Sequence, residues 1–234
     1  DSEPDNAQAL FARSQLHSLS YDEENLAGQD ATRLIELEPE NIYGYIALHD
    51  SWLAYPTRGE EGAFDESVSA LEQAYELDPE NPHVLWRLGR IGDWELQSER
   101  MYTAEELGAS GYHFINTMGI FLYEVADDYE HAIPYFETYL RGTDGSFLEN
   151  EGNIWNLASA LIQADRAEDA LTLVSERIDV SETSDAILIM DVAYVAYRAG
   201  DYEQARDLAN SAIAFNPGVE SAGSYLLALL TWHI

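Results

Sequence analysis

The chain of 234 residues is strongly acidic, with 44 Asp and Glu residues against 11 Lys and Arg, which gives a formal net charge of −33. Its hydrophobic content of 46% is enough for a packed interior, which argues against a disordered chain, and its negative charge disfavours nucleic-acid binding. The absence of Cys excludes disulfides and thiolate metal sites. Since every basic residue is Arg, lysine-dependent phosphate loops and Schiff bases are excluded too.

The acidity has two competing explanations. A carboxylate-rich surface without Lys suits a high-salt environment, where screening reduces the repulsion between like charges. Alternatively, the negative field attracts a specific cationic partner. An extracytoplasmic compartment and a high-salt cytoplasm both fit the composition, so the sequence leaves the localisation unknown. Because the chain begins at Asp1 rather than Met, we expect that a segment preceded it.

The first two predicted helical hairpins end in nearly the same sequence. Helices around residues 6–19 and 22–37 precede the tetrapeptide EPEN, and the second hairpin ends in DPEN, with the two prolines 40 residues apart. This spacing exceeds the period of the most regular hairpin, described below, and the surplus lies in a predicted surface loop at residues 55–62. In the first hairpin, Ser14 and Gln15 occupy positions where an apolar and a small residue are expected.

The next three hairpins are less regular. Leu85 and Gly89 fit a first-helix pattern, and the partner helix lies within residues 97–107. The following hairpin carries Pro134 early in its second helix, where a missing N–H is best tolerated. A loop is predicted at residues 141–152, before the fifth hairpin.

Residues 186–219 form the most regular hairpin. Two helical patterns, AILIMDVAYVAYR and YEQARDLANSAIAF, flank an Ala-Gly-Asp break, and Asn-Pro ends the second. Small residues such as Ala193 and Ala205 let the two helices approach closely. One hairpin cannot bury its own apolar face, so we expect similar units upstream. Equivalent alanines recur there, at Ala132 and Ala170.

This last hairpin resembles a tetratricopeptide repeat. The turn, aromatic, small, small and proline positions of that family are filled here by Gly200, Tyr202, Ala205, Ala212 and Pro217. Two positions depart from the family pattern: the large residue early in the first helix is Ile189, and the usual tyrosine is Ala196.

The resemblance implies an all-α, right-handed superhelical solenoid of about six helix-turn-helix units that form a single domain over residues 1–234. A capping helix is expected at residues 220–232. The expected units cover residues 6–40, 41–80, 81–110, 111–147, 151–184 and 186–219.

The sequence contains no recognisable catalytic or metal-binding constellation. Neither an H-E-x-x-H nor a G-x-S-x-G motif occurs, and the six His residues are scattered without metal-ligand spacing. The acidic loop around Asp144, Glu149 and Glu151 lacks the alternating ligands of a calcium loop. We therefore expect no enzyme activity, no cofactor and no metal.

The resemblance also implies a concave groove lined by the first helix of each unit. The residues that the family's register directs into it are aromatic, amide-rich and less acidic than the whole chain, which is typical of interfaces. Arg87 and Arg90 form its main positive spot, suited to a carboxylate, and the same register extends the surface to Trp94. Alternatively, the Trp residues pack against neighbouring helices and the Arg residues balance local charge. The predicted groove residues are Tyr43, Trp86, Arg87, Arg90, Asn116, Trp155, Asn156, Tyr194 and Tyr197.

The chain ends in an apolar stretch. After Glu220 come 14 residues without formal charge, although the last helix of a solenoid usually shows a polar outer face. The stretch is too short to span a bilayer as a helix. We predict a contact with a second subunit or a partner through Tyr225, Leu229, Leu230, Trp232 and Ile234.

Together these patterns favour a non-enzymatic scaffold that binds an extended peptide or a partner subunit in its concave groove. The alternative is a self-assembling structural subunit that forms a ring or filament through the C-terminal helix. A weaker third class is an enzyme or sugar-binding module in which Trp86, Trp94 and Trp155 stack on a sugar. The sequence does not specify the partner or the oligomeric state.

Overall fold

The computed structural model describes residues 6–18, 25–53, 61–142, 147–181 and 183–231. Within these ranges the chain forms thirteen α-helices and a 3-10 turn at Pro217–Val219, with no β-strand. The prediction of an all-α fold is therefore confirmed. Most of the surface loop predicted at residues 55–62 lies outside the described residues.

The helices follow one another as helix-turn-helix pairs and fall into two compact units, residues 1–110 and 111–234. The boundary coincides with the predicted end of the third hairpin, and a single continuous domain stays a prediction. The helices are α1 (Ala7–Ser18), α2 (Leu26–Leu37), α3 (Ile42–Leu53), α4 (Ala63–Leu77), α5 (Pro82–Leu88), α6 (Trp94–Glu106), α7 (Tyr112–Glu124), α8 (Tyr129–Gly142), α9 (Phe147–Gln163), α10 (Ala167–Arg177), α11 (Ala186–Arg198), α12 (Tyr202–Phe215) and α13 (Glu220–Leu230).

In the first unit, the hairpins α1–α2, α3–α4 and α5–α6 stack in chain order. Each helix packs on the next, and α1 also packs on α3. Small residues allow close approach: Ala31, Ala47 and Ala74 have no exposed surface. A Cβ on Gly44 of α3 would lie 2.8 Å from the side chain of Ile35 in α2. Apolar contacts between small side chains therefore set the spacing of these helices.

The two related tetrapeptides, EPEN and DPEN, form equivalent turns. In each, the residue before the proline donates its backbone amide to the end of the preceding helix. The side chain of the Asn then accepts a hydrogen bond from the backbone amide two residues further on, at 3.0 Å for both Asn41 and Asn81. The internal repeat in the sequence is thus a repeated signal that ends one helix and caps the next.

Ser14 and Gln15 of α1 are hydrogen-bonded inside the first unit. Ser14 is fully buried, and its Oγ donates to the carbonyl of Ala27 at 2.9 Å. Nε2 of Gln15 donates to the carboxylate of Asp50 in α3 at 3.1 Å. Polar contacts therefore replace the apolar packing that the repeat pattern led us to expect at these positions.

The third hairpin differs from its predicted form. α5 has only 7 residues and ends at Leu88, whereas the pattern predicted a first helix that reaches Trp94. Gly92 adopts a φ of 110°, which side chains rarely tolerate. Asp93 then caps α6 by accepting a hydrogen bond from the amide of Leu96 at 3.1 Å. Trp94 is the first residue of α6, so its placement on the first-helix surface was wrong.

In the second unit, the hairpins α7–α8, α9–α10 and α11–α12 stack in the same way, and α13 packs on α12 and α11. The alanines that recur in the sequence, Ala132, Ala170 and Ala205, have no exposed surface. Gly119 of α7 lies against the ring of Phe136 in α8, where a Cβ would approach to 2.9 Å. Small residues set the helix spacing here as the pattern predicts.

The connection between α8 and α9 is shorter than the loop predicted at residues 141–152. α8 continues to Gly142 and α9 begins at Phe147, so the fifth hairpin starts earlier than expected. Glu149 and Glu151 hold positions near the start of α9, where the helix dipole favours acidic residues. Both residues were predicted to lie in the loop, and this was wrong.

The last hairpin has the form that its sequence predicts. Gly200 makes the turn with a φ of 82°. Ala193 and Ala205 are completely buried, so α11 and α12 pack closely. A Cβ on Gly223 of α13 would lie only 2.5 Å from Ile213 of α12. α13 therefore docks through a close backbone contact in the predicted capping position.

Candidate interaction surface

Arg87, predicted to offer its charge to a ligand, is buried in the first unit. Its guanidinium donates to both carboxylate oxygens of Asp50, at 3.0 Å from Nε and 2.9 Å from Nη2, and to the carbonyl of His83 at 3.0 Å. Only 9% of its side chain is exposed. The guanidinium carbon lies 4.3 Å from the ring centroid of Trp86, which is itself buried. Trp86 and Arg87 are therefore both buried in the first unit, and Arg87 links α5 to α3.

Asp50 is the centre of this network. It accepts hydrogen bonds from Gln15 of α1 and Arg87 of α5, so one carboxylate of α3 links three helices. Burial raises the pKa of Asp50, but the charge and hydrogen bonds of Arg87, together with His49 and the hydrogen bond from Gln15, outweigh burial and hold the pKa below its ordinary value. The network is thus an ionised and paired link inside the first unit rather than an open ligand site.

His49 lies beside Asp50 and is also buried. Its Nδ1 donates to the carbonyl of Ser67 in α4 at 3.0 Å, and its Nε2 lies 3.9 Å from the Asp50 carboxylate. Burial lowers the pKa of His49, and the nearby carboxylate opposes this effect only in part. This imidazole is therefore held in its neutral form.

Tyr43 and Arg90 are the exposed members of the predicted groove in the first unit. Tyr43 lines a cavity of about 570 Å³ between α1 and the start of α3. Its ring centroid is 5.3 Å from that of Phe11, and Glu38 contributes to the wall. Phe11 was not singled out from the sequence, because only the packing of α1 on α3 brings the two rings together.

In the second unit, α11 presents one narrow exposed band in an otherwise buried helix. Ile187, Asp191, Tyr194 and Arg198 are exposed, and their spacings of four, three and four residues place them on one face. Ile187 is 63% exposed and Tyr194 47%. Arg198 lies 5.9 Å from the Tyr194 ring centroid and donates to its hydroxyl at 3.1 Å. The band, defined by these four residues, combines apolar, aromatic and charged groups.

The other groove residues predicted in the second unit are partly accessible. Asn116 lies on α7, Trp155 and Asn156 on α9, and Tyr197 on α11. The side-chain oxygens of Asn116 and of Asn153 on α9 are buried and accept no hydrogen bond from the residues that the structure describes. An Asn amide offers both a donor and an acceptor, which matches a peptide group.

Comparison with known proteins identifies the architecture. No protein-family model matches the chain, and no curated protein matches it. Among solved structures, YrrB, described as a TPR protein with an unusual peptide-binding site, aligns with a TM-score of 0.62 at 16% identity, over 84% of this chain and 97% of the other. The chain has the tetratricopeptide-repeat (TPR) fold. This confirms the resemblance seen in its last hairpin.

Two further solved structures align with nearly all of the chain. The APC/C hetero-tetramer Cut9–Hcn1 aligns with a TM-score of 0.62 at 19% identity, over 97% of this chain and 43% of the other. PilF of Pseudomonas aeruginosa aligns with a TM-score of 0.59 at 15% identity, over 95% of this chain and 99% of the other. At these identities the similarity shows the fold alone.

The last helix of the TPR fold, α13, buries one side and exposes the other. Leu226 and Leu230 are buried against α11 and α12, so the structure places Leu230 in the core rather than at the predicted outer contact. Tyr225 is 69% exposed, and Leu229 is half-buried. The two remaining residues of the predicted contact, Trp232 and Ile234, lie outside the described residues.

The described part of the TPR chain contains no group of three or more His, Asp or Glu residues that is arranged to hold a metal ion. None of the described helices combines the length and apolarity that a membrane span requires. Of the loop considered for calcium, Asp144 and the side chains of Glu149 and Glu151 lie outside the described residues.

Two features of the chain were not predicted from the sequence. The first is the pair formed by Asp50 and Arg87, which are 37 residues apart. The repeat register places both residues on the inner faces of first helices in neighbouring units, and this shared position is the signal that could have indicated their contact. Ile187 was also missed, although it lies one helical turn before Asp191 and extends the same exposed face.

Proposed function

We propose that this chain is a non-enzymatic scaffold that binds an extended peptide, or an extended segment of a partner subunit, along the first helices of its second unit. Those helices are α7, α9 and α11, and α9 packs on α11. The buried Trp86 and Arg87 are not part of the proposed site. Its residues are Asn116, Trp155, Asn156, Ile187, Asp191, Tyr194, Tyr197 and Arg198.

The exposed band of α11 is the observation that carries this proposal. Aromatic residues and Arg contribute most to binding energy at interfaces, and here Tyr194 and Arg198 lie together with the exposed side chain of Ile187. Half-buried Trp155 and the amides of α7 and α9 supply further aromatic surface and hydrogen-bonding groups. YrrB, which shares the fold, is described as having a peptide-binding site, and this supports the same class of function here.

The test is a peptide selection followed by a variant. Peptides selected from a random display library on the whole chain would be labelled and measured by fluorescence anisotropy. The double change Ile187→Ser with Tyr194→Ala should weaken their binding by at least about tenfold, because it removes both large side chains of the band. Both residues are exposed, so the helical circular-dichroism signal should be unchanged.

Phe215→Ala provides the matched control. Phe215 is an exposed aromatic residue at the end of α12, and its loss should leave peptide affinity unchanged. The proposal is contradicted if the selection yields no peptide, or if the selected peptides bind the Ile187/Tyr194 variant as tightly as the native chain.

We further propose, as a second candidate, that the chain self-assembles through α13. The supporting observation is the exposed ring of Tyr225 beside the half-buried Leu229, on a helix that carries no formal charge after Glu220. Mass photometry and sedimentation should then show growth with concentration, and Tyr225→Glu should abolish it. A monomer throughout the accessible concentration range would contradict this candidate.

A further inference from the structure

A second surface lies in the second unit, on the opposite side of α9 from the proposed peptide site. It is an open groove of about 380 Å³ between α8 and α10, with Leu157 and Leu161 of α9 on its floor. Successive residues of an α-helix are about 100° apart around its axis, so Leu157 lies roughly 160° around α9 from Trp155 of the peptide site, and Leu161 lies roughly 120° from it. The two surfaces are therefore separate.

Three arginines surround this groove: Arg141 on α8, Arg166 just before α10, and Arg177 on α10. In a chain with 11 basic residues and a net charge of −33, this is an unusual concentration of positive charge. The three are matched by three acidic residues of the wall, so the groove is formally neutral within a strongly negative chain. These acidic residues are Glu137, Asp169 and Glu176.

Two of the three guanidinium groups are available to a ligand. Arg166 is engaged, since its Nε donates to Asp169 at 2.8 Å. Arg141 reaches the Glu137 carboxylate only at 3.9 Å and otherwise bonds to neighbours on its own helix. Arg177 is exposed, and its guanidinium forms no hydrogen bond or ion pair with any residue that the structure describes.

We infer that this arginine groove, defined by Arg141, Arg166, Arg177 and the leucine floor, binds a short acidic and hydrophobic segment of a partner protein. A guanidinium only donates hydrogen bonds and pairs best with a carboxylate, in a two-pronged contact. Carboxylates of the segment lie on Arg141 and Arg177, and its apolar side chains lie over the floor and the half-buried Leu173. The groove does not depend on the peptide site of α11.

The charge of the whole chain selects this class of partner over other anions. A net charge of −33 repels nucleic acid and anionic membranes, which present many charges over a long distance. A short segment with a few carboxylates interacts chiefly with the groove. At about 0.15 M salt the Debye length is about 8 Å, so distant carboxylates of the chain are screened while direct contacts persist.

The probe is a fluorescein-labelled 14-residue peptide, with Leu and Phe at helical spacing, a few Asp or Glu residues and neutral polar residues elsewhere, measured by anisotropy in 0.15 M KCl. The whole chain should bind it, and Arg141→Gln with Arg177→Gln should weaken binding at least about tenfold. The matched control is Arg33→Gln with Arg206→Gln, an exposed and a half-exposed arginine on other helices. It changes the net charge equally and should leave affinity within about twofold of the native value.

Four results would overturn the inference. These are no binding at millimolar peptide, an equal loss in the control double variant, equal binding of a peptide whose apolar residues are replaced by Ser, and competition by peptides selected for the α11 band. Self-association that Arg177→Gln dissolves would instead assign the groove to a second copy of the chain. The first three results do not depend on the α11 site, so the arginine groove can be tested even if that site fails.

Discussion

At the scale of single residues, the carboxylate of Asp50 holds three helices of the first unit together. It accepts hydrogen bonds from Gln15 and Arg87, and its pKa lies below the ordinary range because the neighbouring charges and hydrogen bonds, chiefly those of Arg87, together outweigh the effect of burial. A buried ion pair gains little over apolar packing, but removal of one partner leaves the other charge buried and unpaired. The pair therefore affects the stability of the chain most when only one of its two residues is replaced.

Asp50→Asn should destabilise the chain by about 3 kcal/mol, because Arg87 then stays charged and nearly buried without its counter-ion. Denaturant unfolding followed by circular dichroism measures this change. Adding Arg87→Met should restore part of the loss, since no charge then remains buried. The control is Glu36→Gln, which breaks the exposed pair with Arg33 and should cost less than about 1 kcal/mol. A cost for Asp50→Asn as small as that of the control would contradict the structural role.

His49 predicts a pH dependence of stability. Its pKa in the folded chain is lowered by burial, so below about pH 6.5 the unfolded chain binds a proton that the folded chain resists. This contribution to stability is complete above about pH 6.5 and is lost as the pH falls toward the folded pKa. The free energy of unfolding should therefore fall less between pH 7.5 and 5.5 in His49→Asn than in the native chain.

Asn at position 49 keeps a hydrogen-bond donor for the Ser67 carbonyl. The difference in pH dependence between this variant and the native chain therefore reports the loss of the titratable imidazole rather than the loss of a hydrogen bond. The exposed His113, changed to Asn, is the matched control for the loss of one imidazole. Carboxylates elsewhere titrate alike in all three proteins and cancel in the differences. Identical slopes for the native chain and His49→Asn would contradict the prediction.

At the scale of helices, small residues decide how closely neighbours pack. Ala193 of α11 and Ala205 of α12 let these two helices pack closely. Gly223 lets α13 approach α12 more closely than any side chain would allow. Because interiors are close-packed, one extra methyl group at such a contact must displace a neighbour. The position of α13, and so of the exposed Tyr225, depends on this glycine.

Gly223→Ala should therefore destabilise the chain by about 1–3 kcal/mol, since the added Cβ would meet Ile213 at 2.5 Å. Gly152→Ala in α9 is the matched control, because nothing lies within 4 Å of its added Cβ. There the gain in helix propensity should stabilise the chain by up to about 1 kcal/mol. Thermal unfolding compares the two variants, and a change of the same sign in both would show that the close contact is not what matters.

At the scale of the whole molecule, the net charge of −33 dominates. Like charges repel and destabilise a compact chain, and salt screens this repulsion. The high-salt explanation of the composition therefore predicts a melting temperature that rises from 0.1 M to 2 M KCl. Each kcal/mol gained corresponds to about 2–4 °C for a chain of this length.

Sucrose is the control for this experiment, because it strengthens burial without screening charge. A rise in KCl that exceeds the rise in sucrose of equal osmolality supports the high-salt explanation. Equal stability in dilute buffer and in 2 M KCl would contradict it and would favour a cationic partner as the reason for the acidity.

Local patterns were sufficient for the repeat itself. The alanine and glycine positions of residues 186–219, and the EPEN and DPEN turns, predicted helical hairpins that the structure contains. Helix periodicity, caps and turns depend on neighbours within a few residues, so a sequence displays them directly. The same information predicted the all-α class and the capping helix.

Only the tertiary structure decided which of the predicted surface residues face solvent. Trp86 and Arg87 are residue types that are common in binding sites, yet the side chains of Trp86 and Arg87 are buried. Arg87 pairs instead with Asp50, which is 37 residues away in the chain. Tyr194 and Ile187 stay exposed because they lie on the one face of α11 that no neighbouring helix in the described part of the chain covers. Burial and charge pairing depend on which distant residues meet, and no local pattern contains that information.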